Sequence, residues 1–318
     1  TDGSVTASFD AVNQANPYYI VIYHRNHMPV MSASAIYVDS FAFPYDFTDV
    51  ANVYLNGEIL LNATPNPDVY GMIAGDVTKN GMLKYSGPGN DRGPVIARIV
   101  AETGENDING FTDPGYWLED VTMNSIVLYL GGDNDRGPIQ ANIATLTGTP
   151  YLNNVYLSVV PGYYTGSKAG LNEGPVDIQI NESSETMNVV VLTNELIENG
   201  IADNIQFTLA WKAGDFEVED LMSNFSSTFG LLPQGEPVEF NGISYLTFVS
   251  VTPEMLPQAW NEGEELTALT FEKATGQSLS DRIWIADDEF TSENNGDFYI
   301  SNLGSNVTGM IHSSVTGI

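Results

Sequence analysis

The chain contains no cysteine. That absence excludes disulfides, thiolate metal centres and thiol catalysis together. Basic residues are scarce as well: 10 Lys and Arg stand against 41 Asp and Glu, a net charge of −31. Nucleic acid and anionic membrane surfaces repel such a chain, so neither is expected as a partner, whereas divalent cations are attracted. Acidity alone also follows from solubility or adaptation to salt, so a motif must carry any claim of metal binding. Only three histidines occur, His24, His27 and His312. No apolar run approaches the roughly 20 residues of a membrane-spanning helix, so no membrane insertion is expected. No signal peptide is present, and Thr1 is not a start methionine, which leads to the expectation of a trimmed, secreted chain. No G-x-S-x-G, H-E-x-x-H or phosphate-cradling glycine loop is found, and no pair of hydrolytic carboxylates can be selected from the 41 acids. The expectation is a protein that is not an enzyme.

What is present favours strands. The 318 residues, 42% of them apolar, suffice for two or three domains with real cores. Tyr, Thr, Asn, Gly and Val are abundant, a strand-and-turn composition. Val5, Ala7, Phe9 and Ala11 alternate with polar residues, the period of a half-buried strand. Residues 18–23 (YYIVIY) form an unbroken apolar run, which suits a strand covered on both faces. Residues 30–38 and 53–61 read as further strands, the latter with a hairpin turn at Asn56-Gly57. From residue 147 onward strands are expected at 155–160, 176–180, 187–192, 205–211, 243–251, 266–271, 282–286 and 297–302, spaced as in a sandwich. Short helical pieces fit 215–224 and 253–259. Asn-x-Ser/Thr sequons stand at Asn62, Asn181, Asn224 and Asn306, weak pointers to glycosylation.

Residues 71–146 differ, because they contain an internal repeat. GDVTKNGMLKYSGPGNDRGPVIARI, from Gly75, returns 44 residues later as EDVTMNSIVLYLGGDNDRGPIQANI, from Glu119. Each copy is a loop followed by helically spaced apolar residues: Val95, Ile96 and Ile99, then Ile139, Ile143 and Leu146. The Asp preceding each helix is expected as its N-cap, with Pro94 and Pro138 in the first turn. An EF-type calcium loop places oxygens at positions 1, 3 and 5, a carbonyl at 7 and Gly at 6. The first copy supplies Asp76, Thr78, Asn80, Gly81 and the carbonyl of Met82. The second supplies Asp120, Thr122, Asn124, Ser125 and the carbonyl of Ile126.

On these residues the segment resembles a pair of dockerin-type calcium-binding repeats, in a long-loop variant. That variant occurs in large surface and secreted proteins of environmental bacteria, where GDVN-GDG-x-VKYTG-x-NDR is common. YYIVIYHRNHMPVMSASA also looks like the segment that precedes those repeats, so the resemblance covers roughly residues 17–146. The family carboxylates at positions 3 and 5 are Thr or Asn here, and position 12 is Gly87 or Gly131. Asp91 and Asp135 are therefore inferred to close the loops, with Asn90, Asp133 and Asn134 able to help. Fewer carboxylates imply Ca2+ affinity in the roughly 10⁻⁴–10⁻³ M class of extracellular modules. The second loop, with Ser125 for Gly, is the weaker of the two; a degenerate, metal-free loop is the alternative. The stretches IADNIQFTLAWKAGDFEVEDL, SYLTFVSVTP and ALTFEKATGQSL resemble cohesin-like sandwich modules, which implies fold alone.

The expected architecture is mainly β. A β-rich domain spans 1–70, a small α-containing duplicated dockerin-like domain 71–146, and a cohesin-like β-sandwich 147–318. His24 and His27 would face opposite sides of a strand and read as a polar strand end. Asp287, Asp288, Glu289, Glu293 and Asp297 read as a solvated acidic loop or, less simply, a further calcium site. The four tryptophans read as core rather than as sugar-stacking platforms. The expected function is an extracellular, calcium-stabilised structural protein of a cell surface that assembles with itself into a filament or layer. The alternative is an adhesin or scaffold module that binds a polysaccharide or a partner protein.

Overall fold

From Ala202 to Lys212 the sequence ADNIQFTLAWK alternates in chemistry while every residue but the last is buried. Ile205, Phe207, Leu209 and Trp211 point one way, into an apolar core. Asn204, Gln206 and Thr208 point the other way, a side that must also be covered, because buried polar groups need partners. That strand is the centre of the molecule in the computed structural model, which describes residues 5–7, 12–38, 44–57, 60–61, 70–104, 107–161, 174–223, 225–251, 258–274 and 276–312.

The chain is mainly β. Its larger sheet runs Leu231–Pro233, Ile243–Ser250, Ala202–Lys212, Tyr299–Asn302, Ser305–Asn306, with Val238–Phe240 and Ile283–Ile285 as side pairings. A five-stranded sheet runs Phe225–Ser227, Glu265–Glu272, Thr186–Thr193, Val176–Glu182, Thr308–His312. Its pairings are antiparallel except at the end, where Thr308–His312 joins Val176–Glu182 in parallel. One core unites both sheets: Ile178, Val189, Val191 and Leu269 from one meet Phe207, Leu209, Phe248 and Ile300 from the other, with Trp211 and Trp260 at full burial. Each fully buried large apolar side chain contributes about 1.5–3 kcal/mol. This is a β-sandwich, and its strands fall close to the expected ones.

The duplicated segment supplies two helices, α1 (Arg92–Thr103) and α2 (Arg136–Thr147), each of 12 residues and each ended by a left-handed glycine, Gly104 or Gly148. Two short helices, Val218–Met222 and Glu289–Glu293, decorate the sandwich. No helix among the described residues is long and apolar enough to cross a membrane.

A second core joins Val95, Ile96 and Ile99 of α1 and Ile139 and Ile143 of α2 to Met28, Val30, Met31 and Val53, and reaches Ile201, Val249 and Leu303 of the sandwich. The expected boundary at residue 70 is thus crossed by one continuous apolar cluster. Residues 17–57 are not the row of strands expected. They hold two-residue strands, Pro17–Tyr18 with Ile36–Tyr37 and Val21–Ile22 with Val30–Met31, and the 3-10 turns Val50–Asn52 and Tyr54–Gly57. Tyr19 and Tyr23 are exposed, so the 18–23 run is not covered on both faces. Asn56-Gly57 closes a 3-10 turn rather than a hairpin. The strand expected from the alternation of Val5, Ala7, Phe9 and Ala11 lies mostly outside the described residues, as do the sequons at Asn62 and Asn224. Residues 253–257 of the expected second helical piece also lie outside, and Gln258–Trp260 is a strand.

Candidate metal centre

The first loop closes around two carboxylates. Asp76 is fully buried; its Oδ1 accepts the Asn80 N–H at 3.1 Å and its Oδ2 the Gly81 N–H at 3.2 Å. The sharp turn needs Gly81 at φ 78°, a left-handed conformation that glycine adopts without cost. Asn80 Oδ1 accepts the Met82 N–H at 2.9 Å, where the Met82–Lys84 strand begins its pairing with Val155–Leu157. Asp91 is also fully buried. Its Oδ1 accepts the N–H and the hydroxyl of Thr78, both at 3.0 Å, and its Oδ2 the Lys84 N–H at 2.9 Å. Burial pushes the Asp91 carboxyl well above the usual carboxylate range, and the neighbouring charge of Asp76 pushes it further.

The second loop repeats these bonds with the 44-residue offset. Asp120 Oδ1 accepts from Asn124 N at 3.0 Å and Oδ2 from Ser125 N at 2.9 Å. Asn124 Oδ1 accepts from Ile126 N at 2.9 Å. Asp135 Oδ1 accepts from Thr122 N at 2.9 Å and from its hydroxyl at 3.0 Å, and Oδ2 from Leu128 N at 2.8 Å. Burial raises the Asp135 carboxyl too. Ser125 holds φ 76° where the first loop has glycine, a conformation that costs a residue with a Cβ about 1 kcal/mol or more.

Of the residues expected to act together, the structure gathers Asp76, Thr78, Asn80, Met82 and Asp91 in one turn and Asp120, Thr122, Asn124, Ile126 and Asp135 in the other. Asp91 and Asp135 hold the N-cap positions, as expected, but the capping bonds come from the residue before each. Asn90 Oδ1 accepts the Gly93 N–H at 2.8 Å, and Asn134 Oδ1 the Gly137 N–H at 3.0 Å. Asp91 and Asp135 make no cap bond, because both turn back into their loops. Asn90 and Asn134 are engaged as caps, and Asp133 sits on an exposed left-handed turn.

Each turn brings together oxygen donors: two buried carboxylates, a hydroxyl and a side-chain amide. Such hard donors suit Ca2+, which takes six to eight oxygens and is indifferent to strict geometry. No group of three or more His, Asp or Glu side chains gathers about one point among the described residues. Asp91 Oδ2 and Asp135 Oδ2 each accept one N–H, whereas Asp91 Oδ1 and Asp135 Oδ1 are taken up by the N–H and hydroxyl of Thr78 or Thr122. The donor chemistry fits calcium bound weakly, with neutral oxygens filling the shell.

Sequence reasoning missed what the arginines of Asn-Asp-Arg do. Arg92 lies over the Tyr85 ring at 4.5 Å and Arg136 over the Tyr129 ring at 5.0 Å, each a cation–π pair within its own repeat. The signal was available, since Tyr and Arg recur seven apart in both copies. Arg92 is wholly buried where the first repeat meets the sandwich, within the field of Asp203. Burial raises the Asp203 carboxyl to about 6, against the Gly304 N–H, Arg92 and Ser301, which favour its ionised form. The covered side of the central strand is this junction. Ser86 Oγ donates to Gln206 Oε1 at 2.7 Å, and Asn295 Nδ2 donates to Ser86 O at 3.1 Å and to Asn153 O at 2.9 Å.

The remaining clusters are tied into the fold by local bonds. Arg25 at φ 32° folds the chain back, so His24 and His27 face each other with Nδ1 atoms 3.2 Å apart instead of lying on opposite sides of a strand. Asp288 caps the Glu289–Glu293 helix and accepts the Tyr245 hydroxyl at 2.9 Å. Asp297 accepts from Thr291 and Ser292. Trp211 and Trp260 are core, as expected.

No family model matches the sequence, and no curated protein matches it. Among solved structures, endoglucanase CelQ from Clostridium thermocellum complexed with cellotriose aligns with 62% of this chain and 34% of its own, at 11% identity and TM-score 0.25. The chain thus spans about a third of that enzyme. The second type II cohesin module of the cellulosomal adaptor ScaA scaffoldin of Acetivibrio cellulolyticus aligns over 44% of this chain and 93% of its own, at 15% identity and TM-score 0.22. A type II cohesin–X-dockerin complex from the same organism aligns over 43% and 95%, at 13% identity and TM-score 0.23. Likenesses this weak assign no activity and no partner.

Proposed function

We propose that this chain is a calcium-stabilised structural module of an extracellular surface, and that it assembles with copies of itself. The observation that carries the reading is the first loop, where two buried carboxylates, a hydroxyl and a side-chain amide are joined by hydrogen bonds within residues 76–91. Two anions buried together are unfavourable, and a divalent cation between them relieves both the burial and the repulsion. The ion would be held by Asp76, Thr78, Asn80, Met82 and Asp91. Its chemistry is structural: it neutralises the turn and fixes the path of residues 76–91. The neighbouring stretch carries Ser86 and Arg92 into the junction with the sandwich, so the metal and the sandwich grip the same segment.

Assembly is supported by the sheet ends. Thr308–His312 is an edge strand with Met310 exposed, and an edge offers unpaired N–H and C=O groups to an incoming strand. Val5, one of the alternating apolar residues near the start, is 91% exposed. A segment of this pattern, donated to the edge of a neighbour, gives a head-to-tail contact that does not close on itself and therefore propagates. With a net charge of −31, copies repel at low salt, so divalent cations favour assembly twice over. Electron microscopy of concentrated protein, with calcium and with chelator, tests this: filaments or sheets in calcium that disperse with chelator are expected. Uniform single particles in both conditions refute assembly.

A second reading, a binding module for a polysaccharide or a partner protein, is favoured by Tyr23, Tyr37 and Tyr116, all well exposed. It predicts monomers that retain a ligand on a glycan or protein array.

A further inference from the structure

The two loops share their internal bonds but differ in what lies outside them. Beside the second loop stands Arg25. Its Nη2 lies 3.7 Å from Asp120 Oδ2, with the arginine side chain 10% exposed and the aspartate 1%. Arg25 is locked there. Its Nη1 donates to Trp117 O at 3.0 Å, its guanidinium lies 4.4 Å over the Tyr116 ring, and its backbone holds a left-handed φ of 32°. Its Nε is buried without a hydrogen-bond partner. Asn26 completes the clasp, its Nδ2 donating to Leu118 O at 2.7 Å and to Asp120 O at 2.9 Å.

A buried cation aimed at a carboxylate of a cation-binding turn does what a metal would do there, and it repels a second cation. We infer that Arg25 is the resident cation of the second loop, so that this turn is a metal-independent clasp and the chain takes one divalent ion, at the first loop, where two would be expected from the duplication. The strained Arg25 backbone and the buried, unpartnered Nε are local costs that placement of this charge explains. The left-handed Ser125 fits the same division of labour: a turn already neutralised from within tolerates a poorer residue at its bend.

The inference rests in part on the calcium reading of the first loop, and the test separates the two. Terbium luminescence and calcium-dependent melting are measured on wild type, Asp91→Asn, Arg25→Gln, Asp91→Asn/Arg25→Gln and Asp91→Asn/Arg25→Lys. Wild type should bind one ion per chain. Asp91→Asn should show no response up to millimolar ion, Asp91→Asn/Arg25→Gln should acquire a site at least tenfold tighter than any in Asp91→Asn, and the charge-keeping lysine variant should stay silent. Two ions per wild-type chain overturn the inference and leave the first-loop reading standing. A silent, folded Asp91→Asn/Arg25→Gln also overturns it. If wild type binds nothing but Arg25→Gln alone gains a site, Arg25 stands as the resident cation of the second loop and the first-loop reading falls. Should the glutamine variants unfold, the wild-type stoichiometry still decides.

Discussion

Replacing Asp91 by asparagine isolates the metal from the fold. The side chain keeps its shape, and its oxygen can still accept from Thr78 N and Oγ1, the bonds at 3.0 Å. The amide nitrogen then faces the Lys84 N–H, donor against donor, which costs about 1–3 kcal/mol. Loss of the negative charge beside Asp76 offsets part of that, since the repulsion that raises the Asp91 carboxyl disappears. In chelator the variant should therefore melt only slightly below wild type. In calcium the two should part. At an ion concentration about 100 times Kd, binding adds about 2.7 kcal/mol to wild type, or about 4 °C of Tm for a chain of this size. D91N should show none of that gain. The assay is differential scanning fluorimetry at 10 mM calcium and in chelator. A D91N protein whose Tm rises with calcium as much as wild type would refute the reasoning, because the ion would then sit elsewhere.

Three further outcomes follow from the same contacts. Truncating the caps, N90A or N134A, should cost about 1 kcal/mol each in urea denaturation without changing the calcium response, since these residues serve α1 and α2 and not the loop oxygens. D203N sets an amide nitrogen against the Ser301 hydroxyl or the Gly304 N–H, and weakens the field on the buried Arg92, so it should cost about 1–3 kcal/mol, seen as a shifted denaturation midpoint. Glu182 is pushed up by burial but pulled down further by Lys273, Ser280 and the N–H groups of Leu279 and Ser280, to about 2 from 4.5. A lowered carboxyl stabilises fully above 4.5 and loses that contribution as pH falls from 4.5 towards 2, so E182Q should be about 1–3 kcal/mol less stable than wild type at pH 7 and nearly equal to it near pH 2.

The sandwich was legible because its strands carry two-residue alternation and clear punctuation; the Ala202–Lys212 strand is readable on both faces from its sequence. The repeat was legible for a different reason: two copies that agree at a fixed offset cannot arise from composition, and their hydrogen bonds agree in turn. The region before residue 70 was misread because apolar runs such as 18–23 do not say which residues lie beneath them. Tyr19 and Tyr23 stay exposed, while Met28 and Val30 enter a core built largely by helices that follow much later in the chain. The cap positions were legible but the capping side chains were not, because Asn and Asp both suit that bond, and only the loop geometry reveals that Asp91 and Asp135 are needed on the other side. Arg25 could not be found from sequence at all, since its partner Asp120 lies 95 positions away in a different segment.

The most direct test is a crystal grown in calcium and examined by long-wavelength anomalous scattering. The account predicts a peak between Asp76 and Asp91, shared with the oxygens of Thr78, Asn80 and Met82. A well-phased map with no peak at that turn would contradict it.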